Sequence, residues 1–350
     1  MNATIRAIEY YLPDRELTNE GLSILFPGRS PEELAKKTGV WSRHVSAPEQ
    51  CSSDLGVAAA QKLFATGPYT PEDIDFILFC TQTPDYFFPA TACLVQDRLG
   101  ISIRAGALDF NLGCSGYIYG LGLANGLIQT GQANRVLLVT ADVVTKFIDE
   151  SDRTMRALIG DGATATIIER TENDDRTGFD QFIYGTDGRG ADHLMIEGGA
   201  LRDFVSHRGA FSTRGTPIVQ MKGQKLVEFA AKTVPRVLQT LMSRCDMQLQ
   251  DVDFFVFHQA SRYILELLAQ ILKIPNEKSY SCLSECGNTV ASTIPIALKR
   301  ASDEEKLCRG AKVVLCGFGV GLSWGAALVT WSGLRVGQSR QMVSAQPVIS

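Results

Sequence analysis

The sequence predicts a layered α/β protein built from two similar halves. Short runs of β-branched and aromatic residues alternate with helical stretches along the chain. A polar, glycine-rich interval breaks that alternation near the middle, and an acidic turn followed by an apolar strand recurs on both sides of it.

The strand signals come first. Phe76-Ile77-Leu78-Phe79-Cys80, Val136-Leu137-Leu138-Val139, Phe254-Phe255-Val256-Phe257 and Val313-Val314-Leu315-Cys316 are continuous apolar runs, suited to strands covered on both faces. The interval from 171 to 215, with Glu172-Asn173-Asp174-Asp175-Arg176-Thr177-Gly178 and Asp187-Gly188-Arg189-Gly190, reads as a connecting and pocket-capping region. Across it, Asp73-Ile74-Asp75-Phe76-Ile77-Leu78 rhymes with Asp251-Val252-Asp253-Phe254-Phe255-Val256. The expected division is therefore a first half at 1–170, the connector at 171–215, a second half at 216–332 and a polar, aperiodic tail at 333–350.

Composition narrows the function classes. With 350 residues, 45% hydrophobic and 21% charged, the chain reads as a soluble globular protein able to bury a large core. A formal net charge of −4 gives no electrostatic reason to expect nucleic acid. The N-terminus lacks the basic-then-apolar layout of a secretory signal, and charges interrupt every long apolar run, so a cytoplasmic protein without membrane segments is expected. Nine cysteines without a repeated spacing point to reduced thiols.

Three residues stand where chemistry is commonly presented. Cys114, in Asn111-Leu112-Gly113-Cys114-Ser115-Gly116, follows a strand and opens a helix of about four turns, where unpaired amides and the helix dipole favour a thiolate. The expectation is a lowered thiol pKa and a nucleophile. His258, in Phe257-His258-Gln259-Ala260-Ser261, ends an apolar strand, and Asn288, in Glu285-Cys286-Gly287-Asn288-Thr289, occupies a glycine turn before a helix. A neutral imidazole and an amide can both donate to one carbonyl oxygen and so stabilise an enolate. Each of these taken singly also suits a packing or turn residue. The glycine-rich run Cys316-Gly317-Phe318-Gly319-Val320-Gly321 is followed by strand-like sequence rather than by a helix, so it reads as a tight turn lining a pocket, not as a phosphate loop. Cys282 and Cys286 lack a second spaced ligand pair, and no metal site is expected.

In this order and at these separations, the segments resemble the ketoacyl-acyl-carrier-protein synthase III family of the thiolase fold. The likeness runs from Trp41-Ser42-Arg43-His44, through Phe88-Pro89-Ala90-Thr91-Ala92-Cys93 and Gly160-Asp161-Gly162-Ala163, to Ser323-Trp324-Gly325-Ala326-Ala327-Leu328. It implies a fold of two similar layered α/β/α halves and a catalytic trio of Cys114, His258 and Asn288. By resemblance Cys114 takes an acyl group from a thioester primer, while His258 and Asn288 hold the carbonyl of a malonyl thioester as it loses carbon dioxide. The resemblance also implies no cofactor, acyl-CoA and malonyl-acyl carrier protein as substrates, and a homodimer in which Phe88 reaches the partner's acyl pocket. Phe318 matches an aromatic residue that shields the site, and Val320 falls where a glycine amide usually completes an oxyanion hole.

The departures from the family pattern gather at the expected CoA and carrier-protein entrance. Glu33 replaces a tryptophan, Lys37 an arginine, Gln224 an asparagine, and Ser261 the last residue of a His-Gln-Ala-Asn motif, while Arg153 is retained. These changes leave the primer open. Competing readings are a specialised-metabolism ketosynthase or acyltransferase of the same family, a thiolase using a second cysteine such as Cys316, and an inert partner of a heterodimeric synthase. Retention of the whole trio favours condensation.

Overall fold

The computed structural model describes residues 3–171, 176–202 and 217–334. Most of the tail read at 333–350, and the stretch 203–216 of the connector, lie outside the described residues.

Two mixed sheets form the frame. The first contains β1 (Ala3–Tyr11), β4 (Phe76–Cys80), β5 (Gly106–Phe110), β6 (Arg135–Asp142) and β7 (Gly162–Arg170), in the order β1-β7-β6-β4-β5. The second contains β8 (Gly178–Thr186), β11 (Phe254–Phe257), β12 (Lys312–Gly319) and β13 (Ser323–Thr330), in the order β11-β12-β13-β8. Two short antiparallel pairs flank them: β2 (Glu16–Thr18) with β3 (Ser42–His44), and β9 (Leu194–Ile196) with β10 (Val219–Met221). In each main sheet a parallel pair, β4 with β6 or β11 with β12, passes into antiparallel neighbours. A parallel bridge from Phe255 to Ser279 sits beside β11 as β5 sits beside β4.

The rhyme in the sequence is a repeated set of hydrogen bonds. Asp73 accepts the Thr70 N–H at 2.8 Å, and Asp251 accepts the Gln248 N–H at 2.8 Å, so each closes a one-turn helix before its strand. Asp75 then accepts the Arg135 N–H at 2.9 Å and Asp253 the Lys312 N–H at 2.7 Å, pinning β4 to β6 and β11 to β12.

Helices fill the space between the sheets and cover both outer faces. The helix Gly116–Gln129 is apolar nearly all round, as a helix buried between two sheets must be. It shares one core with the helix Thr293–Asp303, with Leu78, Val136 and Leu138 of the first sheet, and with Val256, Leu315 and Ala327 of the second. The helix Ser52–Thr66 covers the outer face of the first sheet and the helices Gly223–Arg244 and Arg262–Leu272 that of the second. Arg262–Leu272 is amphipathic and buries Ile264 and Leu268, one helical turn apart.

One element corrects the reading of 171–215 as a connector. Gly178–Thr186 is an edge strand of the second sheet, paired along β13. Asp180 and the neighbouring polar interval masked a strand in which Phe179 and Ile183 are buried.

Candidate active site

The loop that carries Cys114 is held from both halves of the molecule. Residues 111–115 link β5 to the helix Gly116–Gln129, and Cys114 lies just before the N-cap residue Ser115, with 8% of its surface exposed. The Ser115 and Ser323 hydroxyls meet at 2.7 Å, tying this turn to the start of β13. A β-carbon on Gly113 would lie 2.7 Å from Val320 Cγ1, so the loop and the β12–β13 turn pack in direct contact.

The expected lowering of the Cys114 thiol pKa is not found. Burial pushes the thiol up to about 12, and the charge of Asp142 adds to the effect. Hydrogen bonds from the Val320 and Cys114 N–H groups oppose it without reversing it. The helix start contributes only partial charges, whereas removal from water penalises a full one. Val320 does not need a left-handed backbone. That conformation falls on the next residue, Gly321, at φ 134°, so the Val320 amide is available in the ordinary region despite the side chain.

His258 directly follows β11, and its backbone N–H donates to the Cys316 carbonyl at 2.8 Å. Its ring is almost wholly buried, Nδ1 lies 2.7 Å from the Thr293 hydroxyl, and Phe318 presents an edge contact with ring centroids 5.8 Å apart. Burial pushes the imidazole down to about 3, against a smaller opposing effect of the Val290 carbonyl, so the ring is neutral at physiological pH.

Asn288 is fixed by its backbone and its amide together. Its N–H donates to the Leu158 carbonyl at 2.9 Å and its carbonyl accepts the Gly160 N–H at 3.1 Å. Its Oδ1 accepts the Val290 N–H at 3.0 Å, and Nδ2 donates to the Ala260 carbonyl at 3.4 Å, two residues past His258. With Oδ1 committed, the amide keeps its other Nδ2 hydrogen for a ligand. Val290 takes φ 55° to make this bond, a costly conformation for a β-branched residue.

The other expected residues divide. Phe318 is buried beside His258, and Cys316 packs in the same apolar cluster. Phe88 is 86% exposed and forms an apolar patch with Tyr86 and Phe87. Lys37, Arg153 and Gln224 are exposed. Ser261 is the N-cap of the helix Arg262–Leu272, accepting the Ile264 N–H at 3.3 Å. Glu33 has a local role too: with Ser30 it forms a capping box on the helix Pro31–Thr38, and it lies 4.0 Å from Arg29. Cys282 and Cys286 are both buried in the central core. Among the described residues no group of three or more His, Cys, Asp and Glu side chains is arranged to hold a metal.

Sequence reasoning missed Thr293, Val290 and Asp142. Asp142 ends β6 at 1% exposure, with Oδ1 accepting the Gln82 N–H at 2.7 Å. Its only trace in the sequence is a charge closing an apolar strand.

A duplicated sheet frame with a buried Cys and His just past strand ends, and a buried Asn after a short helix, defines a thiolase-fold protein. The family profile described as 3-oxoacyl-[acyl-carrier-protein (ACP)] synthase III matches residues 108–188, and its C-terminal counterpart matches residues 242–331. The chain is 35% identical over 322 residues to a beta-ketoacyl-[acyl-carrier-protein] synthase III of Caldanaerobacter subterraneus, spanning 92% of this chain and 96% of that one. It is 37% identical over 326 residues to the protein of the same name from Rhodospirillum centenum, again over 92% and 96%. A crystal structure of a 3-oxoacyl-(acyl-carrier-protein) synthase III superposes with a TM-score of 0.89 at 41% identity, covering 95% of this chain and all of the other. The chain belongs to the 3-oxoacyl-[acyl-carrier-protein] synthase III family.

Proposed function

We propose that this enzyme joins an acyl thioester primer to malonyl-acyl carrier protein by decarboxylative Claisen condensation. The product is a 3-oxoacyl thioester, made for fatty acid or related biosynthesis. The Cys114 sulfur attacks the primer carbonyl, the primer's thiol departs with the proton, and the Val320 and Cys114 amides receive the transient oxyanion. His258 and Asn288 then hold the malonyl thioester carbonyl while carbon dioxide leaves. The resulting carbanion attacks the acyl-Cys114 and expels the sulfur, which regains a proton. No cofactor is consumed. The observation that carries this reading is the Asn288 amide, turned by the Val290 N–H so that it offers a donor beside a neutral His258.

The partners follow from the same reading. Acyl-CoA and acyl carrier protein approach at Lys37, Arg153, Gln224 and Ser261. A homodimer buries the exposed Tyr86-Phe87-Phe88 patch, so that Phe88 bounds the partner's acyl pocket. Light scattering that finds an active monomer contradicts the dimer. Among the described residues no helix is long and apolar enough to cross a membrane; a cytoplasmic site of action is part of the same proposal. A specialised-metabolism role is a second reading. It is supported by the absence of an aromatic residue at Glu33 and by the likeness to a priming beta-ketosynthase of the R1128 polyketide pathway, at 25% identity and a TM-score of 0.86.

The test is to incubate the protein with acyl-CoA and malonyl-acyl carrier protein and to follow carbon dioxide and product mass. Release of carbon dioxide with a 3-oxoacyl product supports condensation. Acyl transfer to another acceptor without carbon dioxide would make it an acyltransferase of the same family.

A further inference from the structure

Around His258 three groups must share their protons. Nδ1 is 2.7 Å from Thr293 Oγ1, the same hydroxyl lies 3.1 Å from the Val290 carbonyl, and that carbonyl also acts on the imidazole. All three are buried, so none can turn to water instead. A carbonyl only accepts, whereas a hydroxyl both donates and accepts. With the proton on Nδ1, the chain Nδ1–H to Oγ1–H to carbonyl is complete, and Nε2 is a bare acceptor. With the proton on Nε2, Nδ1 needs a donor, and Thr293 O–H is the group in place to supply one.

We infer that Thr293 is a positioning residue that sets the tautomer of His258: by turning its O–H from the Val290 carbonyl to Nδ1, it lets Nε2 carry the proton and donate to the substrate carbonyl. The inference rests on the condensation reading for what Nε2–H does, but the tautomer itself can be read in the free protein. Acylation does not require Nε2–H, whereas stabilising a malonyl enolate does. Without the hydroxyl, the one hydrogen-bond partner of Nδ1 that can donate is gone, so nothing in place holds the proton on Nε2.

The test uses the full chain with ¹⁵N-labelled histidine, in which only four histidines contribute, and compares wild type, Thr293→Val and Thr293→Ser. The expected result is Nε2–H on His258 in the wild type and in Thr293→Ser, and Nδ1–H in Thr293→Val. Decarboxylation by Thr293→Val should fall about 10- to 100-fold, the scale for losing a hydrogen bond that orients a functional imidazole. Acylation of Cys114 by Thr293→Val and both half-reactions of Thr293→Ser should stay within about threefold of wild type, a margin of under 1 kcal/mol. The inference is overturned if Thr293→Val keeps the wild-type tautomer, or if it slows both half-reactions equally. Should Thr293→Val not fold, the wild type decides alone: His258 found only as Nδ1–H, free and acylated, overturns the inference. Failure of condensation in the wild type, with the tautomers as expected, would count against the proposed reaction and not against Thr293.

Discussion

A β-carbon added to Gly319 would lie 2.7 Å from the Cys114 sulfur, closer than carbon and sulfur approach without bonding. The end of β12 therefore walls the nucleophile directly, and only a hydrogen fits there. Gly319→Ala is expected to fold and to lose acylation by about 100-fold or more, the scale of displacing a reacting atom by an ångström. Intact mass measured over a time course checks this, and acylation at the wild-type rate would contradict it.

Incubation with a suitable acyl thioester should add one acyl mass per chain, and Cys114→Ala should abolish the adduct. Stoichiometric labelling of the variant would refute the assignment. Of the remaining thiols, Cys80 is buried and should react poorly, whereas Cys51, Cys93 and Cys308 are exposed. A general alkylating reagent should therefore label those three, and only transfer from the acyl substrate isolates Cys114.

For His258→Ala and Asn288→Ala, acylation should survive while malonyl decarboxylation falls by roughly 100-fold or more, the usual cost of losing an oxyanion donor. Radiolabelled malonyl-acyl carrier protein separates the two half-reactions. Normal decarboxylation by both variants would sink the condensation mechanism.

Burial moves two groups in opposite directions, with opposite consequences for pH. His258 is pushed down to about 3, so as pH falls below about 6.5 the unfolded chain takes a proton that the folded one refuses, and stability is lost. Asp142 is pushed up to about 7, so as pH rises from about 4 to 7 the unfolded chain ionises first, and stability is lost in that direction. Asp142→Asn cannot titrate. It should gain on the order of 2 kcal/mol relative to wild type between pH 5 and pH 8. Thermal melts across that range test this, and a Tm difference independent of pH would contradict it.

The primer should be longer than acetyl or be delivered on a carrier protein. Glu33 offers no aromatic face to adenine, an absence of roughly 1–3 kcal/mol of stacking, and its carboxylate is committed to the Ser30 cap. Acetyl-CoA has little acyl surface to offset this, whereas each buried methylene contributes about 0.8 kcal/mol. Comparing kcat/KM for acetyl-, hexanoyl- and octanoyl-CoA decides it, and a clear acetyl preference sinks the expectation.

Local signals made most of the frame and the trio legible. Apolar runs marked β4, β6, β11 and β12, because a strand covered on both faces shows a continuous stretch of large side chains. Small residues after a strand pointed to Cys114, and strand ends and glycine turns to His258 and Asn288. The edge strand β8 was hidden because it lies within a polar interval, although Phe182 packs on the central core and Ile183 on the outer one. What only the tertiary structure decided depends on groups far apart in sequence. The thiol pKa of Cys114 rises because burial outweighs the helix start, and burial is not a property of the local sequence. Thr293 reaches His258 across 35 positions of chain, and the β12–β13 turn reaches Cys114 across about 200. The first contact forms only when the second half folds and the second only when both halves meet, which residue order alone does not record.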